Sequence, residues 1–354
     1  MAAVLLLPTG LPSRPATGQD TLKSQTTETP KSGQQKKAEP EVFELVFPAM
    51  GSSMMFRAFD DDETQVNRAF GAARSLIGRL EDIYTDYDPE SETSLLSEKG
   101  VGPHGVTVSD DLASMITLSE RWHSRSDGVF DASLGKLTHL WRSAKKKKQV
   151  PEDEAVQDAL RHSGWQHVTW DSKSKTLKLD TEGVQFDFGA IAKGYAVDRA
   201  FEILQQHGLK SCLVNASGNM RCGDPPPGLA GWRIDVAGLT RAGAPICFIE
   251  LNNQSIATSG DLWQFQLIRG ERRSHILDPR TGWGLTGSIS ATIVAPTAAD
   301  ADACATAVCV QGPDGGADLI RRLNTTSGTK AYRALILRRE SADGPVTFRN
   351  LGLQ

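Results

Sequence analysis

A run of small side chains at residues 299–308 (ADADACATAV) restricts the fold more than any other stretch of this chain. A helix with so little bulk can lie unusually close to its neighbours, since side-chain size sets the packing distance. Asp302 and Thr306 are four residues apart, so they share one face of such a helix. Two interpretations are open. Either the acidic residues cap a helix N-terminus, or Asp302 and Thr306 offer oxygens to a hard cation such as Mg²⁺.

Length and composition set broad limits on the protein class. The chain has 354 residues and a formal net charge of −4, which predicts one large domain or two lobes with a sizeable core. A net charge near zero gives no argument for a nucleic-acid partner. The five cysteines include no CxxC pair, which disfavours both a disulfide framework and a zinc ribbon. We predict that the KKKK run at 145–148 is a solvated loop rather than a binding patch.

Residues 1–40 differ in composition from the rest of the chain. The apolar segment AVLLLPTGLP (3–12) is shorter than the roughly 20 residues that span a bilayer. It is typical of the remnant of a signal peptide, and no cysteine follows it as a lipid-anchor site. Residues 13–40 are rich in Ser, Thr, Pro, Gln and Lys and are predicted to be a disordered linker. We therefore expect an exported, periplasmic protein more than a cytoplasmic one, with a single folded domain at 41–354.

Strands and helices interleave along residues 41–354, which favours the α+β class over a doubly wound parallel sheet. Apolar residues at helical spacing predict a long amphipathic helix over 63–85, and Ser109 is a candidate N-cap for the next helix. A short helix is predicted at 152–162 and a hairpin at 165–180. Strands are predicted at 41–50, 184–188, 211–216, 232–236, 247–251, 255–259, 263–268, 274–277, 288–296 and 331–339, the last of them ending the fold. The small-residue helix at 299–308 precedes a second helix near 314–324.

The segment FDFGAIAKGYAVD (186–198) is the most informative chemical motif. A strand that runs through small residues into a helix exposes backbone groups to a phosphate, and Gly189 and Gly194 allow a ligand close to the backbone. Tyr195 and Asp198 are three residues apart and share a face, where they could hold a ring or a hydroxylated linker. The alternative is a helix cap with a core tyrosine. The segment lacks the GxxxxGK[ST] spacing of a phosphate-binding loop.

Three glycine-containing turns carry further polar residues. SDGVFDASLG (126–135) delivers Phe130 and Asp131, TSGD (258–261) is a tight polar turn, and SHILDPRTG (274–282) contains His275. Taken alone, each is an ordinary turn between regular elements. His275 is nevertheless the only one of the seven histidines that lies inside such a motif.

Taken in order, these stretches resemble the ApbE family, the FAD:protein FMN transferases. The matching set is AMGS, YDPESETS, DGVFDASLG, DFGAIAKGYAVD, VNASGN, ATSGD, HILDPRTG and DADACATA, which spans roughly residues 43–340. The resemblance implies a two-lobed α+β fold of mixed and antiparallel sheets packed with helices, with FAD between the lobes. It implies Mg²⁺-dependent transfer of the FMN half of FAD to a Thr or Ser hydroxyl of an acceptor flavoprotein, with release of AMP. Acceptors of the family are typically subunits of membrane redox complexes or exported reductases.

The resemblance also assigns site residues, position by position. The metal ligands fall on the main-chain carbonyl of Ala192, on Asp302 and on Thr306. The contacts to flavin and nucleotide fall on Met50, Tyr87, Val129, Phe130, Asp131, Tyr195, Asp198, Ile276 and Leu277. His275 and Asp302 are the catalytic candidates, and His275 is either the general base or a residue that positions the flavin.

One departure from the family pattern stands next to these assignments. Many members have Gly-Gly-Asp where this chain has Ser217, Gly218 and Asn219. We expect the missing carboxylate to affect contacts to adenine or ribose and to leave the metal positions untouched. Two alternatives remain at this stage: an FAD pyrophosphatase that yields FMN and AMP, in which water replaces the acceptor hydroxyl, and a non-catalytic FAD-binding protein.

Overall fold

A nine-stranded sheet organises the computed structural model, which describes residues 14–15, 40–240, 243–268, 270–341 and 343–353. Of the predicted N-terminal segment and linker at 1–40, only residues 14, 15 and 40 fall within this range. The described residues form the strands Arg14–Pro15 (β1), Glu41–Ala49 (β2), Ser52–Asp60 (β3), Val106–Thr107 (β4), Val168–Asp171 (β5), Thr176–Leu179 (β6), Cys212–Ala216 (β7), Asn219–Cys222 (β8), Trp232–Val236 (β9), Cys247–Leu251 (β10), Ser255–Gly260 (β11), Phe265–Ile268 (β12), Glu271–Leu277 (β13), Gly284–Thr286 (β14), Ser288–Ala295 (β15), Arg333–Arg339 (β16) and Val346–Leu351 (β17).

The helices alternate with these strands. They are Glu63–Tyr84 (α1), Glu92–Lys99 (α2), Asp110–Arg125 (α3), Gly135–Lys147 (α4), Asp153–Arg161 (α5), Ala192–Gln206 (α6) and Ala298–Ser327 (α7). The mixture of helices with largely antiparallel sheets confirms the predicted α+β class. Among the described residues, no helix combines the length and apolar character needed to cross a membrane.

The large sheet has the strand order β1-β2-β3-β7-β8-β11-β15-β16-β17. All neighbouring pairs run antiparallel except β1 with β2. Helices α1, α6 and α7 pack together on one face, and α7 lies directly on β11 and β15. The β9–β10 hairpin covers part of the other face through a second hydrophobic cluster. A third cluster joins α4 and α5 to β12 and β13.

The small residues of α7 allow its close packing. The buried side chains of its first three turns are nearly all alanine, cysteine or aspartate. At Gly194 of α6, an added Cβ would lie 2.3 Å from the carbonyl oxygen of Ala298. The two helices therefore meet at a point where only glycine fits. The two predicted helices at the C-terminal end correspond to a kink in α7 at Gly312, which has φ 73°, followed by Pro313.

The structure differs from the sequence-based expectations in two segments and contains several elements that were not predicted. Residues 184–188 bury Val184, Phe186 and Phe188 as an alternating strand would, yet they form only an isolated bridge at Gln185. Their backbone groups bond instead to the segment 132–135 and to Ser97. Helices α2 and α4 and strands β4, β8, β14 and β17 were not predicted. The KKKK run is exposed as expected, but its first three lysines end α4 and do not form a loop.

Candidate functional site

A cavity of about 830 Å³ lies between the main sheet with its helices and the part built by α4, β12 and β13. Turns after β2 and α1, the start of α6, β11, β13 and the first turns of α7 all contribute to its wall. The structure brings most of the candidate residues to this single cavity: Met50, Tyr87, Val129, Phe130, Asp131, Ala192, His275, Ile276, Leu277, Asp302 and Thr306. These residues are far apart in the sequence, and the fold places them around one cavity.

Asp302 is a buried carboxylate without a neutralising partner. Its side chain is 3% exposed, and it forms no ion pair among the described residues. Oδ2 accepts a hydrogen bond from the backbone N–H of Gly194 at 3.0 Å. Burial raises the pKa of Asp302 above its usual range, while Lys193, the Gly194 N–H and the Asn219 side chain act in the opposite direction. A bound cation would offset the cost of burying this negative charge.

Thr306 lies one turn after Asp302 on the same face of α7, as the spacing predicts. Its Oγ1 is 3.2 Å from Oγ of Ser259 on β11. The hydroxyls of Thr258 on β11 and Thr292 on β15 form a second pair at 2.9 Å. Because Ser259 and Thr258 also line the cavity, this part of its wall is lined by oxygens with little bulk around them.

The start of α6 supplies a backbone oxygen next to Asp302. In a regular helix the N–H of Gly194 would bond to the carbonyl of Ala190, four residues earlier; here it donates to Asp302. No described residue donates a hydrogen bond to the Ala190 carbonyl, whereas the Ile191 carbonyl accepts from the N–H of Tyr195. Ala192 is the first residue of α6, so its carbonyl points to the helix's own N–H groups. This geometry favours Ala190, which also lines the cavity, over Ala192 as the carbonyl donor.

His275 has a defined tautomer. Its Nδ1 is 3.0 Å from the carbonyl oxygen of Gln264, and a carbonyl can only accept, so Nδ1 carries the proton and Nε2 the lone pair. The ring is reached by solvent through the cavity although protein surrounds it. Burial lowers the pKa of His275, and the charges of Lys193 and Lys145 lower it further. The imidazole is therefore a neutral base near pH 7.

Different interactions fix the residues that are predicted to contact the flavin. Met50 adopts a left-handed backbone (φ 51°) and donates its N–H to Oε1 of Glu81 at 2.8 Å. Tyr87 is 71% exposed at the cavity, and the guanidinium carbon of Arg142 lies 4.6 Å from the centre of its ring. Phe130 is buried and fixed through its N–H to Oγ of Ser126.

Asp131 holds the turn that carries Phe130. Its Oδ1 accepts from the N–H and hydroxyl of Ser133, at 2.8 and 2.5 Å. Its Oδ2 accepts from the N–H of Trp165 at 2.9 Å. With both oxygens occupied by these donors, the carboxylate fixes the turn that contributes Val129 and Phe130 to the cavity wall.

Tyr195 and Asp198 are not part of the cavity wall. Asp198 accepts hydrogen bonds from the N–H groups of Ala298 and Ala299, both at 2.9 Å, and pairs with Arg221 at 2.7 Å. It thereby caps the N-terminus of α7. The Tyr195 ring packs edge-on against Tyr84, with 6.0 Å between the ring centres. These positions correspond to the alternative of a helix cap and a core tyrosine, and a flavin contact by either residue stays a prediction.

Sequence reasoning missed an ionic network on the opposite wall. Arg142 of α4 bonds to Asp86 at 2.5 Å and to Asp187 at 2.6 Å, and His139 bonds to Asp86 at 2.7 Å. Arg142, Asp86 and Asp187 all line the cavity. Recognition of helix α4 in the sequence could have revealed this network. Thr138 and Arg142 are one helical turn apart and therefore share the face of α4 that lines the cavity.

Asn219, the departure from the family pattern, lies next to Asp302. Both residues line the cavity, and the Asn219 side chain acts to lower the pKa of the Asp302 carboxyl. The expectation that the departure leaves the metal positions untouched stays a prediction. An aspartate at this position would place a second carboxylate against the first. The described residues contain no cluster of three or more His, Cys, Asp or Glu side chains suited to a metal. A cation here would therefore be bound by one carboxylate, a hydroxyl and a backbone carbonyl.

Comparison with known proteins agrees with this arrangement. The sequence pattern of the ApbE family matches residues 50–331. The chain is 30% identical over 275 residues to an FAD:protein FMN transferase of Klebsiella pneumoniae, covering 77% of this chain and 84% of that protein. Its fold is similar to the ApbE protein of Thermotoga maritima, with a TM-score of 0.76, 28% identity, and coverage of 87% of this chain and 96% of that one. It is also similar to the flavinyl transferase ApbE of Pseudomonas stutzeri, with a TM-score of 0.76, 25% identity, and coverage of 89% and 96%. With the family pattern extending over most of the folded chain, the protein belongs to the ApbE family.

Proposed function

We propose that this protein is an FAD:protein FMN transferase that moves the FMN half of FAD to a Thr or Ser hydroxyl of an acceptor flavoprotein, releasing AMP in a Mg²⁺-dependent reaction. The observation that carries the proposal is the buried carboxylate of Asp302, which lines the cavity without an ion pair among the described residues, together with the Thr306 hydroxyl and a backbone carbonyl of the same wall. Membership of the family and the names of its relatives supply the substrate.

The donor set fits Mg²⁺. Asp302, Thr306 and the Ala190 carbonyl offer only oxygen, which is the ligand type that Mg²⁺ takes, usually with one or two carboxylates plus substrate phosphates and water. The family resemblance assigns the carbonyl of Ala192. We prefer the carbonyl of Ala190, because no described residue donates a hydrogen bond to it. A bound divalent cation supplies positive charge beside the two phosphates of FAD.

In the proposed reaction, the acceptor oxygen forms a bond to the phosphorus of the FMN half. The bond from that phosphorus to the bridging oxygen breaks, and AMP leaves with the electron pair. The hydroxyl proton passes to Nε2 of His275, whose Nδ1–H is fixed by the Gln264 carbonyl. The lowered pKa of His275 keeps this nitrogen unprotonated near neutrality.

Peptide mass spectrometry tests this function. The protein is co-expressed with candidate flavoproteins, and each acceptor is purified and digested. We expect one acceptor to gain the mass of FMN less one water on a Thr or Ser, in a reaction that is lost in Asp302→Asn and kept in Asp318→Asn, an exposed carboxylate of the same helix. Rapid AMP release from FAD and Mg²⁺ alone, with no labelled acceptor, would identify a pyrophosphatase instead.

We also propose that the protein acts outside the cytoplasm, close to membrane redox complexes. The apolar segment at 3–12 and the polar linker at 13–40 support export. Cell fractionation with an antibody against the folded domain tests the location. Recovery in the cytoplasmic fraction alone would contradict the proposal.

A further inference from the structure

The charged groups around the cavity are unevenly compensated. Each lining carboxylate has a donor or a cation as partner. Among the lining cations, Arg142 pairs with two aspartates, Arg273 with Glu271, and Lys193 bonds to the carbonyl of Gly189. The side-chain ammonium group of Lys145 has neither an ion pair nor a hydrogen bond among the described residues. Among these lining cations, Lys145 is the one whose charged group has no partner of either kind in the described part of the chain, whereas Arg273 keeps its ion pair although its Nε has no hydrogen bond.

The register of α4 leads from the cavity to a run of exposed lysines. Thr138, Trp141, Arg142 and Lys145 line the cavity, spaced three and four residues apart along one helix face. Lysines 146–148 follow directly, and Lys148 ends the helix in a left-handed conformation. All four lysines are exposed. We call residues 145–148 the lysine rim.

Stabilisation of helix α4 does not explain the presence of four consecutive lysines in the rim. A positive side chain in the last turn offsets the helix dipole, but this effect is confined to the last turn and is screened at an exposed site. Four consecutive ammonium groups also repel one another, and no carboxylate of the described residues pairs with them. The protein as a whole carries a formal charge of −4, so the rim is a local exception. A cavity entrance with this charge attracts an anionic partner.

We propose that the lysine rim binds an acidic segment of the acceptor protein, next to the Thr or Ser that receives FMN. This inference rests on the proposed function. FAD inside the cavity can meet Lys145, whereas lysines 146–148 are exposed outside the cavity wall. A partner that is larger than FAD and covers Lys145 can also reach these neighbouring lysines. Lys145 is also close enough to His275 to act on it electrostatically. An acidic residue bound at Lys145 would offset that charge and make His275 a stronger base when the acceptor is in place.

A pair of peptides tests the recognition itself. A fluorescent dodecapeptide with a central threonine flanked by two aspartates on each side is titrated into the enzyme with FAD and Mg²⁺ at low ionic strength. The matched peptide carries asparagines. We expect about tenfold tighter binding of the aspartate peptide, because several exposed charge pairs act together, and we expect added salt to remove the difference. Equal binding of the two peptides, or no binding of either, overturns the proposal.

Matched variants locate the effect. The triple variant Lys146→Gln, Lys147→Gln, Lys148→Gln should lose the preference for the aspartate peptide. The control variant Lys99→Gln, Lys173→Gln, Lys178→Gln changes three exposed lysines outside the cavity wall and should keep it. Both variants should titrate FAD with wild-type affinity. An equal loss in the two variants would show an effect of net charge alone and overturn the assignment to the rim.

Kinetics separate this inference from the function on which it rests. With an acceptor that becomes labelled, the rim variant should raise KM for the acceptor about tenfold and leave kcat nearly unchanged, and an unchanged KM contradicts docking at the rim. Peptide discrimination without transfer to any acceptor would instead refute the transferase function. Co-sedimentation with phosphatidylserine vesicles is the remaining comparison: rim-dependent vesicle binding without peptide discrimination would assign the rim to a membrane surface.

Discussion

The backbone N–H of Gly194 donates a hydrogen bond to Oδ2 of Asp302 at 3.0 Å. This bond joins the first turn of α6 to the first turns of α7 and orients the buried carboxylate. It also leaves the Ala190 carbonyl without its helical donor. This single contact between two helices therefore orients the Asp302 carboxylate and leaves the Ala190 carbonyl able to bind a ligand, which are two of the three oxygen ligands proposed for the metal.

Gly194→Ala should disrupt this contact. The added Cβ would lie 2.3 Å from the Ala298 carbonyl oxygen, so the helices must separate, at a cost of about 1–3 kcal/mol. Chemical denaturation measures this loss. Gly78→Ala on the exposed face of α1, where a Cβ meets nothing within 4 Å, is the control and should be neutral or stabilising by about 0.5–1 kcal/mol. Equal stability of the two variants would contradict the close approach.

Asp302→Asn should stabilise the metal-free protein while removing its response to Mg²⁺. The folded pKa of Asp302 is raised, so between the unfolded and folded pKa values the native state binds more protons. Stability is therefore lost as pH rises from about 4 through the folded pKa. Relief of the buried charge should add about 1–3 kcal/mol at pH 7.

Thermal unfolding with EDTA and with Mg²⁺ plus FAD checks both parts of this prediction. Wild type should gain stability on adding Mg²⁺ and FAD, and Asp302→Asn should gain less. A variant that is less stable in EDTA and keeps the full Mg²⁺ response would show that Asp302 is a structural group with no part in metal binding.

His275→Gln should lower kcat for transfer by about 10²–10⁴-fold, the usual contribution of a general base. In wild type the lowered pKa of His275 keeps Nε2 unprotonated, so the rate should remain on its plateau until the pH falls below about 6.5. The variant should lack this acid limb. Pre-steady-state measurements of AMP release against pH provide the profile, and an unchanged acid limb in the variant would assign it to another group.

Asp198→Ala should lower stability by about 3 kcal/mol without weakening FAD binding. The change removes two hydrogen bonds from the N-terminus of α7 and leaves Arg221 without its partner. Asp110→Ala, at an exposed ion pair, is a control expected to cost well under that amount. Flavin titration of the folded variant distinguishes the roles, because a large loss of affinity would support the flavin contact implied by the family resemblance.

The sequence predicts those features that depend on local periodicity. The helix expected at 63–85 is α1, Glu63–Tyr84, with Asp62 as its cap. Asp302 and Thr306 share a face because their spacing alone requires it. Helix α4 was missed because it begins without a capping side chain after Leu134, where the backbone of Gly135 bonds to Gln185 instead.

Contacts between segments that are distant in the sequence determine the features that local patterns do not predict. The alternation at 184–188 correctly indicates which side chains are buried, but it does not tell whether another strand accepts the backbone bonds. Ala190 and Ala192 are equivalent in the sequence, and only the bond from Gly194 to Asp302 separates them. The contact of Asn219 with Asp302 likewise depends on the packing of β8 against α7.

An anomalous difference map from crystals grown with FAD and Mn²⁺ tests the central claim most directly. The account predicts one strong peak within bonding distance of the Asp302 carboxylate, the Thr306 hydroxyl and the Ala190 carbonyl, beside the two phosphates. A map with no peak there, or with the metal held by other residues, would contradict it.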